Sequence, residues 1–318
     1  MRHALMIEPQ QGLTYAEQLA VALRAEAAGY GTLFRSDHYD SFPGDRGEHT
    51  TDAWAVLAGL ARDTTTIGLG ALVSPVTFRW PGNLAKVAIT VDELSGGRVE
   101  IGLGAGWHEV EHLAHGFVFP ELAERAEMLE ETLEILHGLW DEPDGWSYLG
   151  KHYVVSDAMF RPKPGSLPWR DGGRPNIITG GEGSPRAFRI AARYADEFNL
   201  SSASPEIASQ KFAALDEACR AIGRDPATLR RSVMAGVLIG RDEAEVRARE
   251  ADLMRAFGEA GDGEAWLDAR RSRWVHGTPD QARAAVAAFA AAGAERIMLQ
   301  DFIARDLDLV DLAAEALF

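Results

Sequence analysis

The sequence predicts an α/β protein in which a single (β/α)8 TIM barrel with loop insertions occupies residues 1–318 as one domain. Short β-type runs alternate with longer helical patterns along the whole chain, and eight such repeats follow one another without a change in composition. No linker rich in Pro and Ser divides them. Eight consecutive βα repeats favour a closed parallel barrel over an open sheet, and barrels of this length commonly form one domain.

The amino-terminal half contains the first four repeats. Strands are predicted at His3–Ile7, Thr32–Arg35, Thr66–Val73 and Arg98–Leu103. Helices are predicted after them at Thr14–Ala28, Thr51–Ala61, Asn83–Leu94 and Glu121–Leu139. Thr14 and Glu17 have the spacing of a capping box, which marks the start of the first helix, and Gly29 ends it.

The carboxyl-terminal half contains the other four repeats. Strands are predicted at Pro175–Thr179, Glu197–Leu200, Ser232–Ile239 and Arg296–Gln300. Helices are predicted at Arg186–Tyr194, Pro205–Ala221, in segments that continue through Arg270, from Thr278-Pro279 onward, and at Leu307–Leu317. The longest irregular stretch is Asp141–Arg174, which short strands such as Tyr148–Val155 could order. Its length suits either a functional loop or a surface insertion.

Charge and cysteine content exclude several classes of partner. The net charge of −16 argues against nucleic acid, which needs a dense Lys/Arg surface. Cys219 is the single cysteine, so no intrachain disulfide can form, and a reducing compartment fits. The apolar run within Met1–Pro9 is too short for a signal peptide or a membrane span. We therefore expect a cytoplasmic protein that binds a small molecule rather than nucleic acid or membrane.

The chemistry of a TIM barrel lies at the carboxyl ends of its strands, so polar residues there are the first candidates. Asp37 and His38 come directly after the second predicted strand. Histidine exchanges a proton near neutral pH, and a neighbouring carboxylate can fix its tautomer. The pair is a candidate for the catalytic site, although a turn that caps a helix would also explain it.

The ends of the third and fourth strands suit the walls of a pocket. Leu72 and Val73 lie in an apolar segment that could flank a planar aromatic ring. Gly104 and Gly106 would let a ligand approach the backbone closely, and Trp107 follows them. The spacing of these glycines lacks the later glycine of a dinucleotide fingerprint.

The next five residues, His108 to His112, match the H-E-x-x-H signature of zinc enzymes. A zinc hydrolase is therefore a hypothesis from a different class. The segment follows a Gly-rich strand and meets Gly116 within a turn, whereas a metalloprotease needs a longer helix and a third ligand. We expect no metal site, and we expect Glu109 to belong to a pocket wall.

An anion site is predicted where the fifth strand leads into its helix. Gly180, Gly181 and Gly183 expose backbone amides, Ser184 can cap the helix, and Pro185 suits its first turn. The amides and the helix N-terminus together favour a phosphate. A Gly-rich turn with an ordinary cap is the alternative.

Together these segments resemble the luciferase-like monooxygenase superfamily, especially the branch that uses the deazaflavin coenzyme F420. The resemblance covers nearly the whole chain. Its carriers are the segments 36–39, 94–98, 102–107 with Glu109, 180–181 and 193–196.

The resemblance implies roles for several of these residues. His38 would lie beside the deazaflavin ring as a proton donor or as a group that stabilises the reduced ring, with Asp37 as its neighbouring acid. Leu72 and Val73 would back the ring, in relatives often through a non-proline cis peptide. Gly180 and Gly181 would hold the cofactor phosphate.

The resemblance therefore implies an F420-dependent oxidoreductase that transfers a hydride between the deazaflavin and a small organic substrate, and a homodimer. An FMN-dependent luciferase-like monooxygenase is the alternative within the family. A barrel that binds flavin without catalysis is a further alternative, tenable only if His38 is dispensable. The substrate and the direction of the reaction stay open.

Overall fold

A computed structural model of the chain describes residues 1–168, 173–259 and 263–318. The strands in these ranges are β1 (Arg2–Ile7), β2 (Thr32–Arg35), β3 (Gly68–Pro75), β4 (Val99–Gly104), β5 (Trp146–Leu149), β6 (Val154–Ala158), β7 (Asn176–Gly181), β8 (Glu197–Ser201), β9 (Arg230–Ile239), β10 (Val275–Gly277) and β11 (Arg296–Asp301). The helices are α1 (Tyr15–Ala27), α2 (Ala53–Asp63), α3 (Pro81–Ser95), α4 (Glu109–Ala114), α5 (Leu122–Asp141), α6 (Pro185–Tyr194), α7 (Pro205–Ala221), α8 (Glu243–Ala256), α9 (Glu264–Arg271), α10 (Pro279–Ala291) and α11 (Leu307–Leu317).

Eight parallel strands close into a barrel in the order β1-β2-β3-β4-β7-β8-β9-β11, with β11 pairing back onto β1. The predicted (β/α)8 fold class is confirmed, and each predicted barrel strand overlaps an observed one. The connecting helices surround the barrel, and their apolar faces share one large core with the strands. A small apolar cluster, with Met6, Phe34 and Met298 among its members, is buried as well.

Local signals in the sequence fix several helix starts. The hydroxyl of Thr14 accepts the amide of Glu17, whose carboxylate accepts the amide of Thr14 at 2.8 Å. This reciprocal pair is the predicted capping box. Ser184 and Ser204 cap α6 and α7 in the same position, each directly before a proline. Proline fits there because the first helical amide needs no intrahelical partner.

Four elements lie outside the eight predicted βα repeats. Strand β10 adds a parallel neighbour to β9 beyond the closed barrel, and its three residues are too few to show a period. Helix α4 follows β4 directly. Strands β5 and β6 form an antiparallel hairpin inside the predicted irregular stretch Asp141–Arg174, part of which lies outside the described residues. The hairpin loop is fixed to α5, where the Glu131 carboxylate accepts the amides of Lys151 and Tyr153 at 2.7 and 3.0 Å.

A buried ion cluster closes the barrel at the amino ends of its strands. Arg296, at the start of β11, donates to Glu100 at 2.7 and 2.9 Å and to Glu197 at 3.0 Å. Burial alone would raise the pKa of Glu100, but Arg296 outweighs it and holds the pKa below its usual value. One guanidinium therefore joins carboxylates from two other strands.

Replacing Arg296 by Met should destabilise the barrel, because the buried carboxylates of Glu100 and Glu197 would lose the guanidinium that pairs with both. Breaking such a pair by removing one partner costs about 3–5 kcal/mol. Urea unfolding near neutral pH measures the loss. The control is Arg255→Ala, which removes an exposed pair with Asp252 and should cost less than about 1 kcal/mol. Equal losses in both variants would contradict this account.

Candidate active site

A cavity of about 770 Å³ opens at the carboxyl ends of the barrel strands. Its wall combines aromatic, aliphatic and polar side chains from the segments that follow β1, β2, β3, β4, β7, β8 and β11. Eight of the predicted site residues line it, namely His38, Leu72, Val73, Gly104, Gly106, Trp107, Gly180 and Gly181. The structure thus brings together residues that were chosen from four separate strand ends. Asp37, Glu109, Gly183 and Ser184 do not line this cavity.

His38 is held by a carboxylate that the sequence did not point to. Its Nδ1 donates to Glu111 at 2.9 Å, which leaves Nε2 for a ligand in the cavity. The Glu111 side chain is fully buried and also accepts the backbone amides of Tyr39 and Asp40. Burial would raise the pKa of Glu111, but the hydrogen bond from His38 and these amides lower it. Glu111 is therefore charged and fixes the tautomer of His38.

Asp37 lies behind the cavity rather than in it. Its carboxylate accepts Ser74 Oγ at 2.9 Å and pairs with the guanidinium of Arg79, and its side chain is almost fully buried. Arg79 bridges onward to Asp52, the N-cap of α2. Since both oxygens of Asp37 are engaged away from the imidazole, the carboxylate partner of His38 is Glu111. Asp37 instead positions the loop between β2 and α2.

Leu72 and Val73 lie in the cavity wall formed by β3 and β4, as predicted. The need for glycine at position 104 has a different cause from the predicted approach of a ligand. The Leu72–Val73 peptide is cis, and the pairing of β3 with β4 shifts between Ala71 and Ser74. A Cβ on Gly104 would lie 2.6 Å from Val73 Cγ2. Gly104 is therefore needed for the close approach of the shifted strand, and not only for a ligand.

The H-E-x-x-H match does not form a metal site. Nδ1 of His112 donates to the backbone carbonyl of His108 at 2.7 Å, and its Nε2 accepts Thr77 Oγ1 at 2.6 Å. Burial lowers the pKa of His112, so the ring is neutral and both nitrogens are used. Glu109 points to the exterior of α4. Across the described ranges, no three His, Cys, Asp or Glu side chains could hold a metal ion.

The predicted anion site is divided between two hollows. Gly181 has a φ of 139° and open space where a side chain would project. Ser184 uses its hydroxyl to cap α6 and lines a second, apolar hollow of about 390 Å³ together with Gly180 and Thr179. The hydroxyl of Thr179 is buried, and no described residue hydrogen bonds to it. Gly183 lines neither hollow, and its carbonyl accepts a hydrogen bond from Lys211 Nζ at 2.8 Å.

A polar network in the cavity wall was not predicted from the sequence. Glu8 accepts Gln10 Nε2 at 2.8 Å and also a hydrogen bond from Gln300, and Ser36 donates to Gln10. Glu8, Gln10, Ser36 and Gln300 all line the cavity. Glu8 directly follows β1, so the rule that selected Asp37 and His38 could have found it.

This fold and this cavity define a TIM-barrel protein with its ligand site at the carboxyl face of the barrel. The chain belongs to the luciferase-like monooxygenase family, whose sequence model matches residues 1–296. No helix in the described part of the chain is long and apolar enough to span a membrane.

Two similar curated proteins carry names that include F420. An "F420-dependent glucose-6-phosphate dehydrogenase" of Microbacterium testaceum is 32% identical over 65% of this chain and 60% of its own length. An "F420-dependent hydroxymycolic acid dehydrogenase" of Mycobacterium tuberculosis is 30% identical over 74% of this chain and 62% of its own length. The chain thus spans about three fifths of the length of these relatives.

Solved structures agree on the fold. One described as an F420-dependent secondary alcohol dehydrogenase in complex with an F420-acetone adduct has a TM-score of 0.84 and 18% identity, covering 99% of this chain and 98% of that one. The monooxygenase RslO1 from Streptomyces bottropensis has a TM-score of 0.81 and 21% identity, covering 100% and 98%. At these identities the likeness establishes the barrel alone.

Replacing Glu111 by Gln should lower the free energy of unfolding most near neutral pH and least in acid. The fold holds the pKa of Glu111 below 4.5. The carboxylate therefore stabilises the fold above that pH, and this contribution is lost as the pH falls through the lowered value. Urea unfolding of both proteins across the acidic range measures the difference between them.

Glu109→Gln, on the exposed side of the same helix, is the matched control and should change the free energy by less than about 0.5 kcal/mol. If the gap between wild type and Glu111→Gln widened in acid, the assigned charge state of Glu111 would be wrong.

Proposed function

We propose that this protein is an F420-dependent oxidoreductase that transfers a hydride between the deazaflavin and a small organic substrate. The observation that carries the proposal is His38, held by the charged Glu111 at the edge of a cavity large enough for a fused ring system. The names of the two curated relatives support the choice of cofactor.

The residues present fit this cofactor in shape and in donors. Leu72 and Val73 supply an apolar surface on which a planar ring can lie. Gly181 leaves open space for a phosphate, and the N-terminus of α6 carries partial positive charge beside it. The unpartnered hydroxyl of Thr179, in the adjoining hollow, is a further donor for the cofactor's tail.

A bound deazaflavin would supply a ring carbon that accepts or donates a hydride, which favours two-electron chemistry over oxygen activation. The protein would supply the proton. His38 would exchange it through Nε2, while Glu111 keeps Nδ1 protonated and stabilises the imidazolium. The apolar walls would limit the access of water to the reacting atoms.

FMN is the alternative cofactor, because it carries the same kind of ring and a phosphate. Absorbance and fluorescence titrations of the purified protein with F420 and with FMN separate the two. Saturable binding of F420 at lower concentrations than FMN is the expected result. A preference for FMN would replace the proposal with a monooxygenase.

The proposal includes a cytoplasmic homodimer whose residues 1–318 form one domain. The buried Cys219, which forms no disulfide, supports a reducing compartment. The net charge of −16 supports a small-molecule ligand rather than nucleic acid. Leu113, Val118 and Leu122 are exposed apolar side chains close together in the chain, which suits an interface between copies. Analytical ultracentrifugation tests the dimer.

Replacing His38 by Ala should lower kcat by about 10²- to 10⁴-fold, the usual contribution of a positioned acid or base. The affinity for F420 should change by less than about threefold, because ring packing and phosphate contacts remain. Steady-state kinetics and a fluorescence titration measure the two. His49→Ala, which removes an exposed histidine outside the cavity, is the control. Unchanged turnover in His38→Ala would refute the assigned role.

Replacing Gly181 by Asp should weaken F420 binding by about tenfold or more relative to Gly181→Asn, since a carboxylate would face the phosphate. Both side chains enter the same open space and carry the same strain at a φ of 139°, so their difference reports charge. A fluorescence titration measures it.

A deazaflavin without phosphate should bind both variants of Gly181 equally. If F420 also binds both equally, the phosphate lies elsewhere.

A further inference from the structure

The cavity contains a second imidazole, to whose ring nitrogens no described residue hydrogen bonds. His108 lines the cavity at the N-cap of α4, and its ring centroid lies 6.4 Å from that of His38. Its backbone carbonyl accepts His112, but among the described residues no group hydrogen bonds to its ring. Its neighbour His112 has both nitrogens satisfied within the protein. His108 is thus placed to bind a ligand.

The wall around His108 is aromatic. Its ring contacts those of Phe42 and Trp107 at centroid distances of 4.5 and 4.9 Å. Phe257 and Phe302, which pack edge to face at 5.1 Å, line the same cavity. These rings can bury the apolar body of a ligand, and they cannot form ion pairs with it.

The cavity also offers an anionic ligand little compensation. Among the described residues that line it, none is Lys or Arg. The acidic residues in its lining are Glu8, Glu111 and Glu182. Glu8 and Glu111 are buried, and each accepts hydrogen bonds from the protein. Burying an anion without a cation or sufficient donors is costly, and nearby carboxylates add repulsion.

We propose that His108 is a substrate-binding residue that, with His38, holds the oxygen of an uncharged apolar alcohol or carbonyl compound, whose body packs on Phe42 and Trp107. The inference rests on the proposed function, because it names the substrate class of the same site.

The spacing of the two rings accommodates one shared oxygen. A ring nitrogen lies about 1.1 Å from its centroid and a hydrogen bond spans about 2.8 Å, so the oxygen lies about 3.9 Å from each centroid. Centroids 6.4 Å apart meet both conditions with an angle of about 110° at the oxygen, which is close to tetrahedral. An alcohol oxygen can accept from one imidazole while it donates to the other.

The redox step balances with these groups. When an alcohol is oxidised, its C–H bond would break and the electron pair would leave with the hydrogen as a hydride, for which a bound deazaflavin would be the acceptor. The hydroxyl proton passes to a neutral imidazole nitrogen, and the C=O bond forms. Burial lowers the pKa of His108, which keeps its ring neutral near neutral pH. In the reverse direction an imidazole N–H binds the carbonyl oxygen and returns the proton.

The first test compares substrates on the F420-loaded enzyme. Secondary alcohols with larger apolar groups should have kcat/KM values about 100-fold above those of phosphorylated alcohols of similar size, because the cavity gives phosphate no cation. A preference for the phosphorylated compounds would overturn the proposal.

The second test compares His108→Ala and His108→Asn with His49→Ala. Both His108 variants should lower kcat/KM about 10- to 100-fold through a raised KM, with Asn the less affected, and should leave F420 affinity within about threefold. The limb of the kcat/KM pH profile that reports a lowered histidine pKa should disappear. Values for the His108 variants that match those of His49→Ala would overturn the proposal.

A binding measurement without cofactor separates this inference from the proposed function. Proton NMR of the histidine ring signals, titrated with an apolar secondary alcohol, should show two shifted signals, of which the one from His108 is missing in His108→Ala. If F420 fails to bind while that signal shifts, the proposed cofactor is wrong and the role of His108 stands. If F420 is turned over while the signal stays still, the role of His108 is wrong.

Discussion

The hydrogen bond between His38 and Glu111 is the interaction on which the site depends. Glu111 belongs to a short helix after β4, whereas His38 belongs to the loop after β2, so one carboxylate joins two strand ends. The same carboxylate accepts the amides of Tyr39 and Asp40 and so shapes the loop that carries the imidazole. Orientation of the ring, its tautomer and the path of the loop therefore have one common cause.

The two ends of the barrel use buried charge in opposite ways. At the amino end, Arg296 pairs with Glu100 and Glu197, so the charges of this cluster compensate one another within the protein. At the carboxyl end, the rings of His38 and His108 line the cavity, and among the described residues only Nδ1 of His38 has a carboxylate partner. The paired cluster stabilises the fold. The cavity keeps hydrogen-bonding capacity for a ligand, and the proposed chemistry uses it.

Local chemistry was predictable from the sequence, and long-range pairing was not. The capping box at Thr14 and the barrel strands follow from signals within a few residues, and the structure confirms them. His38 could be selected because it follows a strand end. Its carboxylate could not, because Asp37 is adjacent in sequence but is turned toward Arg79, while Glu111 arrives from 73 residues away. Hydrophobic periodicity and composition carry no information on such long-range contacts. Glu111 also lies within the five-residue match to the zinc signature, in which it has no assigned role.

Under the proposed function, backbone amides beside Gly181 would hold the cofactor phosphate without a cation among the described residues of the cavity wall, so that one cavity would hold two unlike ligands. A protein with a net charge of −16 can bind a phosphate where amides and a helix N-terminus converge, because these partial charges act only at short range. Lysine or arginine in the wall of this cavity would attract anionic substrates. Arg186 instead lines the adjoining hollow, where its guanidinium pairs with Glu130. Beside His108 the cavity wall carries the aromatic rings of Phe42 and Trp107, and no Lys or Arg among the described residues lines it. The proposed anion site would therefore retain a charged cofactor without setting the charge of the substrate.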